Sequence, residues 1–355
     1  MLTPITFPSA LEFWLTFNTS SAHTLLPDYS TFAFSEEQNK HNSCVDSPSA
    51  VLRKPYLLNN AEQRKMLFEF AEKYDLKLPL HVLVQEPNKR HLGKNLHSHV
   101  LSFELPKQSF LTISNVPVIR PELCFLLAAR YLSLPELAVL ATDLCATYGI
   151  NRNVVFSQFN RLPVTSVQRI KDYLSHIQRA KGIRAANSAI RFALDCSHSP
   201  MESKLGVTYI LPLMYGGFAA PRPELNPTIT LSSAGASHFG IEECCVDLAW
   251  KEQKIIVEYD SDLVHSSMYQ IRKDKRKINA LELSGYKVFN ITKDCFRNYD
   301  TAEIPFLTVK RELGVRTRSH YYDLFREKRR DLIKQFYLTY DAMNWLDWAR
   351  SLHNE

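Results

Sequence analysis

The sequence feature that most limits how this chain can fold is a pair of short apolar stretches, each of which carries one carboxylate. Residues 246–250 contain Asp247 among apolar neighbours, and residues 254–259 contain Glu258 near their end. The polar residues between these stretches favour a turn, so we predict that they pair as antiparallel strands. Asp247 and Glu258 would then face each other. Because burying an unpaired charge is unfavourable, two such acids indicate a site where a metal ion or a cation compensates them.

The segments on either side complete one predicted domain, residues 197–300. Proline directly after Ser199 favours a helix over residues 201–215, which Gly216 would end. Residues 228–231 are predicted to form a strand, 268–284 a helix that ends at Gly285, and 287–291 a buried strand. The predicted order is therefore a helix, hairpin strands, a helix and a strand.

Four basic residues and one glutamine lie on the predicted helix that follows the second acid. They are candidates for binding a nucleic-acid backbone: Gln270, Arg272, Lys273, Arg276 and Lys277. The alternative is a solvated charged face of the helix, and the sequence alone leaves both interpretations open. Likewise, either acid taken alone could simply end a strand in solvent.

These residues carry a family resemblance. The blocks that match, in order, are residues 199–205, 246–250, 257–261 with His265, 274–276 and 285–288. Together they resemble a bacterial endonuclease-domain family that is related to the very-short-patch-repair endonucleases of the PD-(D/E)XK superfamily. The resemblance covers about a hundred residues.

The resemblance implies a fold, a cofactor and roles for residues. We expect an α/β domain with a restriction-endonuclease-like mixed sheet flanked by helices. Asp247 and Glu258 would bind Mg²⁺, with Mn²⁺ as a substitute, and Glu202 on the first helix would be a supporting metal ligand. Asp260 and His265 match a further block of the family and are expected to contribute to catalysis.

Two positions depart from the family pattern. The superfamily's lysine, two residues after the second acid, is replaced here by Asp260, and the family's usual glycine after it is replaced by Ser261. The lysine normally orients the attacking water, so that role is expected to pass to Lys273 or to Gln270. Neither departure removes a predicted metal ligand.

The remainder of the chain is predicted to form smaller modules. We expect an irregular segment at 1–50 with one short helix near residues 9–14, a small α+β domain at 51–150, a helical connector at 151–196 and a C-terminal helical extension at 301–355. Residues 80–84, 88–90, 116–118 and the helices within 121–145 resemble AbiEi-like antitoxins of type IV toxin–antitoxin systems. That similarity implies a protein partner for the N-terminal domain.

Composition limits the remaining possibilities. The net charge of +6 is compatible with a polyanionic partner without requiring one. The seven cysteines include no pair at zinc-ligand spacing, and a zinc site made by His91, His97 and His99 is a weaker interpretation than a basic loop. No stretch has the length and apolarity of a membrane span, and the N-terminus lacks the pattern of a secretory signal. We therefore expect a cytoplasmic protein that does not bind membranes.

The sequence leaves two functions open. The first is a magnesium-dependent endonuclease that hydrolyses DNA, in phage defence, mobile elements or repair, with RNA as the other substrate class. The second is a non-catalytic, antitoxin-like regulator that binds DNA or a protein partner. Three acids at candidate buried positions, Glu202, Asp247 and Glu258, favour the first, because a binding module would repel phosphate with them.

Overall fold

The computed structural model shows a mixed α/β protein. It describes residues 3–18, 61–84, 87, 90, 92–106, 108–151, 157–240, 242–260, 268–316, 319–338 and 345–352. Among these residues, no helix combines the length and the apolar character that crossing a membrane requires.

The five predicted segments regroup into two compact units. The first comprises Met1–Arg191 together with Asn344–Glu355, and the second comprises Phe192–Met343. The second unit therefore contains the whole predicted domain at 197–300 and most of the predicted C-terminal extension. The end of that extension belongs to the first unit, where Trp345 donates from Nε1 to Asp143.

The first unit contains small sheets and short helices. Its helices are α1 (Ser9–Thr16), α2 (Ala61–Lys73), α3 (Pro121–Ala128), α4 (Leu134–Leu144), α5 (Val167–Ser175) and α6 (Ile183–Ala189). Its strands are β1 (Leu80–Leu83), β2 (Leu92–Gly93), β3 (Leu96–His99), β4 (Phe110–Ile113), β5 (Val116–Ile119), β6 (Tyr148–Asn151) and β7 (Ser157–Asn160). A further helix, Trp345–Ser351, completes this unit.

The start of the chain belongs to the core of the first unit. Ile5 forms bridges with Val82 and Val118, and almost all of helix α1 is buried. The indole of Trp14 donates to the carbonyl of Ile119 at 2.7 Å. The described part of the segment predicted to be irregular is therefore an ordered part of the core, because its apolar residues are concentrated within the first 17 positions.

The predicted helical connector contains a break. Helix α5 ends with His176 as its C-cap, and helix α6 begins after Gly182, whose φ is +94°. Glycine tolerates this left-handed conformation, and a Cβ added to Gly182 would lie 3.3 Å from the carbonyl carbon of Ala129. The helical part of the predicted connector thus consists of two separate helices. Strand β7 also lies within the predicted helical connector and pairs with β6, which precedes it, so the connector is not helical throughout.

The second unit places a four-stranded mixed sheet among helices. Its strands are β8 (Glu224–Leu225), β9 (Thr228–Thr230), β10 (Glu243–Cys245), β11 (Leu248–Trp250), β12 (Ile255–Asp260) and β13 (Lys287–Thr292). Its helices are α7 (Pro200–Ile210), α8 (Ser233–Phe239), α9 (Met268–Leu283), α10 (Tyr299–Glu312), α11 (Ser319–Leu324) and α12 (Arg326–Ile333). The sheet order is β13-β12-β11-β8, with β12 and β13 parallel and the other neighbours antiparallel, while β9 and β10 form a separate ladder.

The two faces of this sheet pack against different layers. On one face Ala249 and Ile256 join a core with Ala280 and Leu281 of helix α9. On the other face Trp250 packs edge-on against Tyr209 of helix α7, with ring centroids 5.2 Å apart. The predicted mixed sheet with flanking helices is therefore present, because alternate residues of β11 supply an apolar surface to each side.

Helices α8 and α9 approach each other closely at a glycine. A Cβ atom added to Gly235 would lie 2.5 Å from the carbonyl oxygen of Ala280 and 2.5 Å from Ser284 Oγ. Only glycine allows this separation without a shift of one helix. Ser232 caps the start of α8 and also bonds to the end of α9.

Candidate functional site

Strands β11 and β12 bring Asp247 and Glu258 to one end of the sheet. Their register pairs Leu248 with Val257, and one step further along the same register Asp247 lies opposite Glu258. The antiparallel pairing of the two acid-bearing stretches is thus confirmed. Asp247 Oδ2 also accepts a 2.7 Å hydrogen bond from the backbone N–H of Tyr259, which fixes this carboxyl group against the neighbouring strand.

Asp247 differs from the prediction in its place along the chain. It was predicted within a continuous strand at 246–250, but it lies in the short link between β10 and β11. The reason is that the chain changes partner here. Residues up to Cys245 pair with β9, whereas residues from Leu248 onward pair with β8 and β12.

A lysine from helix α9 forms an ion pair with the second of these acids. Lys277 Nζ lies 2.7 Å from Glu258 Oε1, and the two side chains are only 24% and 18% exposed. In this largely buried setting the Coulomb attraction between the two charges is stronger than at the surface, because water screens it less, and removing either partner would leave the other charge buried without compensation. The sequence had included Lys277 only among the nucleic-acid-binding residues.

Burial and like charges together disfavour ionisation of Asp247. Removal from solvent is the largest effect, and the carboxylates of Glu258 and Glu202 add to it, so the pKa of Asp247 is raised from 3.8 to about 7. The Tyr259 N–H and the Lys277 ammonium act in the opposite direction. A carboxyl group perturbed in this way is typical of a functional site, where a cation restores the ionised form.

Glu258 and Lys277 share the same environment. Burial raises the pKa of Glu258, although the Lys277 ammonium opposes this effect. Burial lowers the pKa of Lys277, but the carboxylates of Glu258 and Asp247 outweigh it and the net direction is upward. Lys277 is therefore an ammonium at neutral pH and acts as a hydrogen-bond donor and a positive charge, not as a base.

Glu202 lies on helix α7 and is held by hydrogen bonds. Its carboxylate accepts from the backbone N–H of His198 at 2.8 Å, from Ser199 Oγ at 2.7 Å and from Asn226 Nδ2 at 2.6 Å. Ser199 in turn caps the helix by accepting from Glu202 N. The side chain is 6% exposed, and its charge contributes to the raised pKa of Asp247.

The three acids differ in how available their carboxylate oxygens are to a metal ion. Among the described residues, no three His, Cys, Asp or Glu side chains converge as a ready metal-binding group. Both oxygens of Glu202 already accept hydrogen bonds, so Glu202 as a metal ligand stays a prediction. Asp247 and Glu258 fit Mg²⁺, which commonly binds through one or two carboxylates and keeps several waters.

The other predicted catalytic residues lie at different places. Asp260 ends β12, half-buried and two residues beyond Glu258, so both project from the same face of the strand. Lys273 is exposed on α9, one helical turn before Lys277. Gln270 is in the first turn of α9, and His265 lies outside the described residues.

The basic residues of helix α9 have distinct environments. Arg272 and Lys273 are exposed, whereas Lys277 is half-buried beside Glu258. Arg276 is exposed but donates from Nη2 to the carbonyls of His238 and Phe239, at 3.0 Å and 3.3 Å. It therefore satisfies carbonyls at the end of helix α8, a structural role that the sequence did not indicate.

Sequence reasoning missed Asn226. This residue lies between β8 and β9, next to Pro227, and its φ is +51°. The Asn-Pro pair is a recognisable turn signal. Nothing in that signal connects it to Glu202, because the contact spans 24 residues and depends on how the strands pair.

The histidines of the first unit form a separate cluster. His81 Nδ1 and His99 Nε2 are 2.7 Å apart, and His97 lies beside His81 on the paired strands β1 and β3. Burial, followed by the charges of His97 and nearby arginines, lowers the pKa of His99 to about 4. His99 is therefore neutral near pH 7. His91 lies outside the described residues.

Comparison with known proteins supplies no relative from which a function could be transferred. No family model, curated protein or solved structure matches the chain.

Proposed function

We propose that the second unit is a divalent-metal-dependent endonuclease that hydrolyses phosphodiester bonds of DNA. The observation that carries this proposal is the arrangement of Asp247, directly before strand β11, beside Glu258 on strand β12, with the Lys277 ammonium 2.7 Å from Glu258. Two acids and a lysine at the end of a mixed sheet also match what a PD-(D/E)XK fold would require. That fold assignment is part of the proposal.

The cofactor proposed is Mg²⁺, with Mn²⁺ as a substitute. Asp247 and Glu258 would bind it, because both are hard oxygen ligands in a largely buried setting. When bound, such an ion supplies charge neutralisation at a phosphate and lowers the pKa of water. Glu202 would support the pair from helix α7 through the field of its charge.

Lys277 is proposed to take the role of the superfamily lysine. The sequence had suggested Lys273 or Gln270 for this role, but Lys277 is the α9 lysine that contacts Glu258. As an ammonium it can donate to a phosphate oxygen or hold a water molecule by hydrogen bonding. Since its pKa is raised, it would not remove the proton from that water.

The substrate class is inferred from charge. Arg272 and Lys273 are exposed on the helix that supplies Lys277, so a phosphate backbone lying along α9 would pass beside the two acids. Lysine and arginine side chains bind such a backbone without reading its sequence. This supports a nucleic acid as the substrate, and DNA is the class that we propose.

The test is a nicking assay on supercoiled plasmid. Purified full-length protein is incubated with Mg²⁺, Mn²⁺ or EDTA, beside Asp247→Ala, Glu258→Ala and the exposed-site control Glu242→Ala. A parallel reaction contains single-stranded RNA. We expect nicking that requires metal, is retained by the control and falls by at least about a hundredfold in both site variants.

Two results would contradict the proposal. If wild-type protein leaves plasmid intact with either metal but cleaves RNA, and both site variants lose that RNA cleavage, the substrate class is wrong and the site assignment stands. If neither nucleic acid is cleaved, or if cleavage persists in both site variants, the enzyme assignment fails and a binding role replaces it.

A further inference from the structure

Asn226, in the turn between β8 and β9, forms hydrogen bonds to two of the three acidic residues at the candidate site, Asp247 and Glu202. Its backbone N–H donates to the carbonyl of Asp247 at 2.8 Å. Its side-chain Nδ2 donates to Glu202 Oε2 at 2.6 Å and to the carbonyl of Cys196 at 3.0 Å. One residue thus fixes the position of Asp247 through its backbone and that of Glu202 through its side chain.

The orientation of the Asn226 amide is set by its partners. Both atoms facing Nδ2 are oxygens, one of a carbonyl and one of a carboxylate, and each can only accept a hydrogen bond. The nitrogen of the amide must therefore face them. The bond to Glu202 is charge-assisted, which makes it stronger than a bond between neutral groups.

The backbone conformation at position 226 also limits which residue types fit there. Its φ of +51° lies in the left-handed region, which glycine, asparagine and aspartate adopt most readily. Of these three, only asparagine carries a side-chain N–H donor. Aspartate would place an oxygen against the carboxylate of Glu202, and glycine would place nothing there.

We propose that Asn226 is a positioning residue of the metal site. It holds the Glu202 carboxylate at a fixed place beside Asp247, so that Asp247 and Glu258 bind the divalent ion in a field set by all three acids. This inference rests on the proposed function, since it presumes that the two acids bind metal. Asn226 itself makes no contact with metal or substrate in this assignment.

Two variants separate the backbone from the side chain. Asn226→Gly keeps a residue that accepts φ +51° but removes the amide. Ala219→Gly is the matched control, because Ala219 is also at φ +51° and is exposed in the same unit. Both introduce the same glycine flexibility, but only the first removes the bond to Glu202.

The experiment measures Mn²⁺ affinity of the full-length protein by titration calorimetry, together with the melting temperature. We expect Asn226→Gly to bind Mn²⁺ about tenfold more weakly than wild type, because the Glu202 carboxylate is no longer held beside Asp247, and the loss of such outer groups commonly costs at least tenfold in metal affinity. Ala219→Gly should retain wild-type affinity. Both variants should melt within about 4 °C of wild type.

A double-mutant cycle with Glu202→Gln tests how Asn226 acts. If it acts through Glu202, Asn226→Gly should add little to the loss that Glu202→Gln already causes. Fully additive losses would overturn this route, even if the glycine variant were unstable on its own.

The remaining outcomes distinguish this inference from the proposed function. Wild-type affinity in Asn226→Gly would overturn the positioning role and leave the nuclease proposal intact. Failure of the wild-type protein itself to bind Mn²⁺ would contradict the proposed function and overturn the positioning role with it.

Discussion

Lys277 on helix α9 lies 2.7 Å from Glu258 on strand β12, so the helix that follows the acid-bearing hairpin brings a cation to its second acid. The two residues are 19 positions apart in the sequence. They come into contact because α9 packs against the face of the sheet from which the side chain of Ile256 projects. The same face presents Asp247, opposite Glu258. Three charged groups therefore share one largely buried region at the end of the sheet.

The first prediction concerns which lysine supports cleavage. Lys277→Met should reduce the rate of plasmid nicking by about a hundredfold, because it removes a donor placed where charge develops. Lys273→Met should reduce the rate much less, since Lys273 is exposed one turn away. Nicking rates at saturating Mg²⁺ distinguish the two residues, and a larger loss for Lys273→Met would contradict the role given to Lys277.

The second prediction concerns pH and stability. The pKa of Asp247 is about 7 in the folded chain against 3.8 as its ordinary value. The folded state therefore holds an extra proton between these pH values, and its stability falls as the pH rises through this range. Below about pH 4 the penalty is absent, and above about pH 7 it is complete.

Asp247→Asn tests that pH dependence. Asparagine keeps an oxygen for the Tyr259 N–H but cannot ionise. In urea unfolding with EDTA, the variant should be more stable than wild type at pH 8 by on the order of 2 kcal/mol. The difference should shrink towards pH 4. A difference that is constant with pH, or one equal to that of the exposed-site control Glu242→Gln, would show that Asp247 is not perturbed.

The third prediction separates two arginines on helix α9. Arg276→Ala should lower the free energy of unfolding by about 0.5–1 kcal/mol, because Arg276 donates to two carbonyls at the end of α8. Arg272→Ala, one helical turn away and exposed, should leave stability unchanged. It should weaken DNA binding, and the slope of the logarithm of the binding constant against the logarithm of the salt concentration should become shallower by about one unit, as expected for the loss of one phosphate contact. Urea unfolding and binding at several salt concentrations measure both effects.

The fourth prediction concerns the contact between helices α8 and α9. Gly235→Ala should destabilise the protein by about 1–3 kcal/mol, because the added Cβ would lie 2.5 Å from the carbonyl oxygen of Ala280. Ser237→Ala, at an exposed position of the same helix, is the control. Equal melting temperatures for the two variants would mean that the helices are not packed this closely.

The elements of the second unit follow closely from local sequence patterns. The helix predicted at 268–284 is observed at Met268–Leu283, and the strand predicted at 287–291 is observed at Lys287–Thr292. The prediction that this strand is buried is wrong, because it lies at the edge of the sheet and only Ile291 is buried. Apolar periodicity and a terminal glycine are strong local signals, so these bounds are well predicted. The helix predicted at 201–215 is shorter, because regular α-helix ends at Ile210 and a single 3₁₀ turn follows.

The details of the site depended on contacts that are distant in sequence. The facing of Asp247 and Glu258 was predictable, since it needs only one hairpin. The pairing of Lys277 with Glu258 was not, because Lys273 and Lys277 lie on one helical face and periodicity cannot choose between them. Asn226 was missed because its role requires the chain to bend from β8 into β9 beside Asp247.

The most direct test of the central claim is the position of a bound metal ion. Crystals grown with Mn²⁺ and measured at the manganese absorption edge would locate it by anomalous scattering. We expect a peak within coordination distance of one carboxylate oxygen from Asp247 and one from Glu258, with Lys277 Nζ displaced from Glu258 Oε1. A peak elsewhere, or none at these two acids while Lys277 still pairs with Glu258, would contradict the claim that they form a metal site.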